Sequence, residues 1–224
     1  MIDSALFPLK DAMEAISSAL LIPTLIVLLF FVAFVAIELG SLMVEYIWER
    51  RNKNVNLPAL LDMFQQKNSG EILKEIEQSQ LTGRQKGALQ ELIRHSPLPD
   101  ASHQALARRL LAKEASDYAK TTNRTDLVAR LGPMLGLMAT LIPLGPGLAS
   151  LGQGDFAGLI DALRIAFNAT VIGLGAASVA FVISRIRKRW YEDSLSALES
   201  LLESLLEVCA RERGSEEQKQ PEFQ

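Results

Sequence analysis

The sequence predicts an all-α membrane protein with three transmembrane helices, and three observations predict it. First, the apolar runs Leu20–Ile37, Leu131–Leu151 and Ala162–Ile183 each suffice to cross most or all of a ~30 Å hydrocarbon core at ~1.5 Å per residue. Second, the segments around them carry apolar residues at spacings of three and four, with no strand-type alternation and no internal repeat. Third, 49% of the 224 residues are apolar while 22% are charged. That mixture fits membrane helices that continue into water better than a water-soluble globule.

The chain divides in order as follows. Residues 1–19 form an amphipathic helix, with Leu6, Leu9, Met13, Ile16 and Leu20 on one face; it is expected to lie on the outer membrane surface and turn inward at Pro23. Residues 20–48 are the first span. A cleavable signal is not expected, given the acidic segment before the span (Asp3, Asp11 and Glu14 against Lys10) and the lack of a small-residue cleavage site after it. Residues 49–127 read as short amphipathic helices. Leu57, Leu60, Leu61 and Phe64 make one face, Ile72, Leu73 and Ile76 another, with breaks at Thr82-Gly83, Gly87 and Ser96-Pro97-Leu98-Pro99. Asp100 is the expected N-cap of a helix starting near Ala101 and running on into the second span. That span is residues 128–151, followed by an external turn, 152–158, and the third span, 159–184. Residues 185–213 prolong the third helix ~40 Å with Leu195, Leu198, Leu202, Leu205 and Cys209 in a heptad seam that needs helical partners. The tail, 214–224, is polar and expected to be disordered.

Basic residues set the orientation. Arg50, Arg51 and Lys53 follow the first span, Arg124 and Arg130 precede the second, and Arg185, Arg187, Lys188 and Arg189 follow the third, whereas the short 152–156 turn has none. The positive-inside rule places the N-terminus and that turn outside, and the long middle segment and C-terminal extension in the cytoplasm. Trp48, Trp190 and Tyr191 fall at the interfaces. Helices two and three thus extend into the cytoplasm.

Composition excludes several function classes. A net charge of −3 without a basic cluster on a polar segment argues against nucleic-acid binding. One cysteine, Cys209, rules out an internal disulfide, and two histidines far from it leave no protein-built metal set. No phosphate loop and no nucleophile–base pair is present, so no enzyme activity and no cofactor is expected.

Lipid is as greasy as leucine, so membrane helices pack through small residues that let backbones approach. Gly132, Gly136 and Thr140 form such a face on the second span; Ala166, Thr170, Gly173 and Ala177 form one on the third. Counted from the helix ends, the two threonines fall at one depth near mid-membrane. Two readings stand side by side: hydroxyls facing a polar path, or hydroxyls bonded back to their own helix carbonyls.

Leu135-Gly136-Leu137-Met138-Ala139-Thr140 resembles the LGLxGT motif of the second transmembrane helix of TolQ and ExbB proteins. Ala166-Phe167-Asn168-Ala169-Thr170-Val171-Ile172-Gly173-Leu174 resembles the matching AxxxTxxGL motif of their third. The three spans, the helical cytoplasmic segment and the long third helix agree, so the resemblance to the MotA/TolQ/ExbB proton-channel family covers nearly the whole chain. It implies a homopentameric ring in the cell inner membrane around two helices of a single-span ExbD-, TolR- or MotB-like partner. It also implies that Thr140 and Thr170 face a membrane aspartate of that partner, and that the assembly couples proton-motive force to partner movement. Ala139 stands where the pattern has glycine. Pro143 and Pro146 lie inside the second span, where each deletes a helix hydrogen bond and frees a carbonyl.

The apolar run Leu131–Leu151 has no ionisable group, and the only one in the third apolar run is Arg164 near its outer start. Hydroxyls do not titrate in the working range, so the acid that carries a proton must come from another polypeptide. Glu38, with Ser41, Glu45 and Glu49, forms a polar stripe at the inner end of helix one; it either lines a proton exit or meets water at the interface. Arg164 is read as snorkelling to outer headgroups, with gating at the outer mouth as its alternative; Asn168 is read as an interhelical hydrogen-bond former. His95 and His103 are read as surface residues, Cys209 as core, and Arg185–Arg189 as an anchor to anionic lipid. The expected function is a stator-type proton-channel subunit. A non-conducting membrane scaffold and a sodium-driven version of the same motor are the alternatives.

Overall fold

A computed structural model describes residues 2–52, 57–67, 69–79 and 81–217; the side chains of 2–11, 48–52, 69, 216 and 217 fall outside that description. Leu6, Leu9, Trp48, Glu49, Arg50 and Arg51 are among those side chains, and Lys53 lies outside the described residues altogether. Among the described residues every regular element is helical: α1 (Ile2–Asn52), α2 (Leu57–Gln66), α3 (Ser69–Gln78), α4 (Gly83–Arg94), α5 (Asp100–Gly152) and α6 (Phe156–Glu217). Three of them, α1, α5 and α6, are long and apolar enough to cross a membrane.

The long helices are less interrupted than the sequence suggests. Pro23 sits inside α1 rather than at a turn between two helices, and α5 runs through Pro133, Pro143 and Pro146. A proline lacks the N–H that would complete one helix hydrogen bond, and the neighbouring turns can hold a helix across the missing bond. The α5–α6 connection is short. Gly154 takes φ +82°, a conformation that favours glycine, and Asp155 caps α6 by accepting the Gly158 N–H at 3.1 Å. At its far end α6 continues to Glu217, into the segment read as a tail.

The chain forms two compact units. The first comprises Met1–Met43 and Thr122–Ile186, the second Val44–Thr121 and Arg187–Gln224. In the first unit the buried residues are few and mostly small. Ala176, Ala180 and Ile183 of α6 meet Phe31 and Val35 of α1 and Val128 of α5. A smaller group joins Leu28, Ala139 and Ala169.

The second unit has a core of large aliphatic side chains. Phe64, Ile72, Ile76, Leu89 and Leu92 from α2, α3 and α4 pack on Ala107 and Leu110 of α5 and on Leu198, Leu202, Leu205 and Cys209 of α6. The heptad seam of α6 therefore finds its partners within this chain. Arg213 ties the end of α6 to the start of α5 by donating to the Leu98 carbonyl and the Asp100 carboxylate. His103, read from sequence as a surface residue, is fully buried, and its Nε2 pairs with the Leu92 carbonyl at 3.0 Å. It occupies the inward position of an i, i+4, i+7 face completed by Ala107 and Leu110, and that periodicity outweighs its polarity.

Candidate ion pathway

The small-residue faces of α5 and α6 meet. A Cβ added to Gly132 would lie 2.9 Å from the Ala177 Cβ and 3.0 Å from the Gly173 carbonyl oxygen. A Cβ added to Gly173 would lie 2.9 Å from the Gly132 oxygen, 3.0 Å from the Gly136 Cα and 3.2 Å from Leu28 Cδ2. Glycine is required at both positions because backbone fills the space a side chain would take. Gly136 lies opposite Thr170 and Gly173, at 3.6 Å from each Cα for an added Cβ, and Gly147 opposite Ala162. These pairings fix an antiparallel register in which Thr140 and Thr170 differ in depth by only ~4 Å.

Both threonines sit one turn from the tightest contacts and are partly buried. Each hydroxyl bonds back to its own helix, Thr140 Oγ1 to the Leu137 carbonyl at 2.6 Å and Thr170 Oγ1 to the Ala166 carbonyl at 3.0 Å. In these bonds the hydroxyl donates, leaving the oxygen lone pairs as acceptors for a protonated acid. Pro143 cannot donate to the carbonyl of Ala139, the residue beside Thr140, and Pro146 cannot donate to that of Ile142. The Thr140 hydroxyl oxygen and the two carbonyls to which a proline cannot donate thus gather on one stretch of α5.

Other residues singled out by sequence lie elsewhere. Asn168 is exposed on α6, away from the α5 contact. Arg164 is exposed and pairs with Asp161 one turn before it, at 3.1 Å. Glu38 is partly buried on α1. Thr24, which the sequence reading passed over, is buried in the first unit and donates to the Leu20 carbonyl at 2.7 Å.

In the second unit Glu45, another member of the polar stripe on α1, is taken up by an ion pair. Arg187 Nε lies 3.2 Å from Glu45 Oε2, and the Arg187 side chain is only 3% exposed. The reading of Arg187 as part of a lipid-facing anchor is therefore corrected. Arg185, Lys188 and Arg189 are exposed. Tyr191 donates to Glu45 Oε1 at 3.2 Å and stacks on Tyr118 at 4.3 Å between centroids. Burial and the neighbouring Glu45 carboxylate push the Tyr191 hydroxyl up to about 12. The signal for this cluster was legible, since Arg187, Tyr191, Ser194 and Leu198 recur at spacings of four and three. Among the described residues no group of three or more His, Cys, Asp or Glu side chains is placed to hold a metal ion.

No curated protein matches the chain. The profile of the MotA/TolQ/ExbB proton channel family matches residues 72–200, more than half of the sequence and the whole of the small-residue seam from Gly132 to Ala177. With its three helices able to cross a membrane, this chain is a multi-pass membrane protein that belongs to the MotA/TolQ/ExbB proton channel family.

Proposed function

We propose that the chain is the proton-channel subunit of a motor in the cell inner membrane, coupling proton-motive force to movement of a partner protein. It works as a homo-oligomeric ring around a single-span, ExbD-, TolR- or MotB-like partner. The observation that carries the reading is the placement of two hydroxyls beside an apolar run without a titrating group. Two hydroxyls lie within ~4 Å of one depth on touching faces of α5 and α6, and the Leu131–Leu151 span contains no group that titrates. A membrane aspartate of the partner supplies the titrating group. Thr140 and Thr170 accept the O–H of its protonated form on their free lone pairs and keep donating to their own helix carbonyls throughout. The positive-inside pattern puts the second unit in the cytoplasm.

Thr140→Val and Thr170→Val test this reading, because valine keeps the shape and removes the hydroxyl. The expected result is loss of motor output with the membrane assembly intact, and a fall of about tenfold or more corresponds to one lost hydrogen bond to a charged or titrating group. Unchanged output from both variants would support a non-conducting scaffold instead.

A further inference from the structure

In the second unit α5 and α6 leave between them a groove of about 520 Å³. Its floor is apolar (Ala107, Leu111, Leu202 and Leu206), and Glu199 and Glu203 form the α6 rim, facing Arg108 on α5. That rim belongs to an acidic stretch: Glu192, Glu199 and Glu203 are exposed, and no Lys or Arg occurs between Trp190 and Ala210. The opposite sign is found on α5, on the side turned away from the groove. Arg109 and Lys113, one turn apart, are exposed ~100° or more around the helix from Arg108. The only acid between Ala101 and Ser116 is Glu114, which is buried. Arg109, Glu199 and Glu203 have no ion-pair partner among the described residues.

We propose that this groove receives α5 of a second copy of the chain, with that copy's Arg109 and Lys113 against Glu199 and Glu203. The charges are complementary, and they match in height. Arg108 stands across the groove from Glu199 and Glu203, so Arg109, the next residue, reaches a neighbour's acidic rim at the same level in a ring whose axis runs along these helices. The two surfaces lie on different sides of one copy. Such a contact is head-to-tail and generates a ring rather than a two-fold dimer. The inference rests on the oligomeric part of the proposed function and names the surface that builds the ring.

The test is a charge exchange in the full-length protein, read as assembled mass in detergent or nanodiscs. Glu199→Lys with Glu203→Lys, and separately Arg109→Glu with Lys113→Glu, place like charges across the contact. Each pair is expected to lower the assembled fraction by about tenfold or more, with the effect shrinking as salt screens it. All four changes together are expected to restore assembly. Because every altered side chain is exposed, the monomer folds in each variant, which its helical signal reports. An assembled fraction that neither pair changes, or that the fourfold variant does not recover, overturns the groove contact while leaving the proton-channel reading intact. Loss of binding to a basic partner protein without loss of self-assembly also overturns it. A monomeric parent protein would remove the contact and the ring together.

Discussion

The two units of this molecule are held together by opposite means. In the second, Phe64, Ile76, Leu89, Leu92, Leu201 and Leu205 interlock as a water-soluble core does, with bulk and burial. In the first, the closest contacts are made where side chains are missing, at Gly132, Gly136 and Gly173. The difference follows from the solvent. Water drives leucines together, whereas a lipid chain accepts a leucine as readily as another helix does. Contact in the membrane must instead come from backbones near enough for dispersion and polar groups to act. A seam built from small residues also brings the α5 and α6 backbones next to Thr140 and Thr170 closer together than a seam of leucines would allow.

This contrast predicts that adding atoms breaks the first unit and removing them breaks the second. Gly173→Val should have the largest effect. Its new side chain would meet the Gly132 oxygen and the Gly136 Cα at 3.0 Å or less, and backbone cannot move aside as a side chain can. Loss of the folded membrane unit is expected, read as aggregation or a collapsed melting temperature in detergent; a variant that melts like the parent would mean the seam is not close-packed. Next comes Leu89→Ala in the second unit, where the parent side chain is fully buried. It should destabilise by ~2–5 kcal/mol, measured by denaturant unfolding, and a cost below ~1 kcal/mol would show a loosely packed core.

The smallest effect concerns alkali and the second unit alone. Tyr191 has its hydroxyl raised from 10.0 to about 12, so the folded state favours the neutral phenol. The stabilisation is complete below pH 10 and is lost as pH rises through about 12. Tyr191→Phe should flatten the fall in stability over that window and leave neutral-pH behaviour little changed. A parent protein whose stability does not fall there would contradict the cause assigned, burial next to Glu45.

Much of this architecture was legible in the sequence. The three apolar helices follow from run length, and the facing glycines of α5 and α6 from spacings of three and four. Less legible was how far each helix runs. Pro23 reads as a turn because a proline removes a hydrogen bond, yet α1 passes through it, and local propensity says nothing of the turns on either side that keep the helix whole. Polar residues on buried faces were also misjudged. Residue type alone assigns His103 and Arg187 to the surface, while their positions in the helical period place them inside, where the Leu92 carbonyl pairs with His103 Nε2 and the Glu45 carboxylate with Arg187. The heptad seam of α6 announces that it needs partners but not which, because the helices that cover it, α2 to α5, lie far earlier in the chain.

At the site itself the sequence identifies the hydroxyls and the missing acid, and the structure adds their register and their present hydrogen bonds. Those bonds matter to the account, since a threonine already donating to its own helix offers an acceptor and no proton. On the proposed function the chain by itself is an incomplete conductor. The most direct measurement is proton flux into liposomes holding the purified protein alone under an imposed pH gradient and membrane potential, followed with an internal pH dye. The account predicts a rate equal to that of empty liposomes; a flux clearly above that baseline, abolished by Thr170→Val, would show that the chain carries protons without a partner's acid and would contradict it.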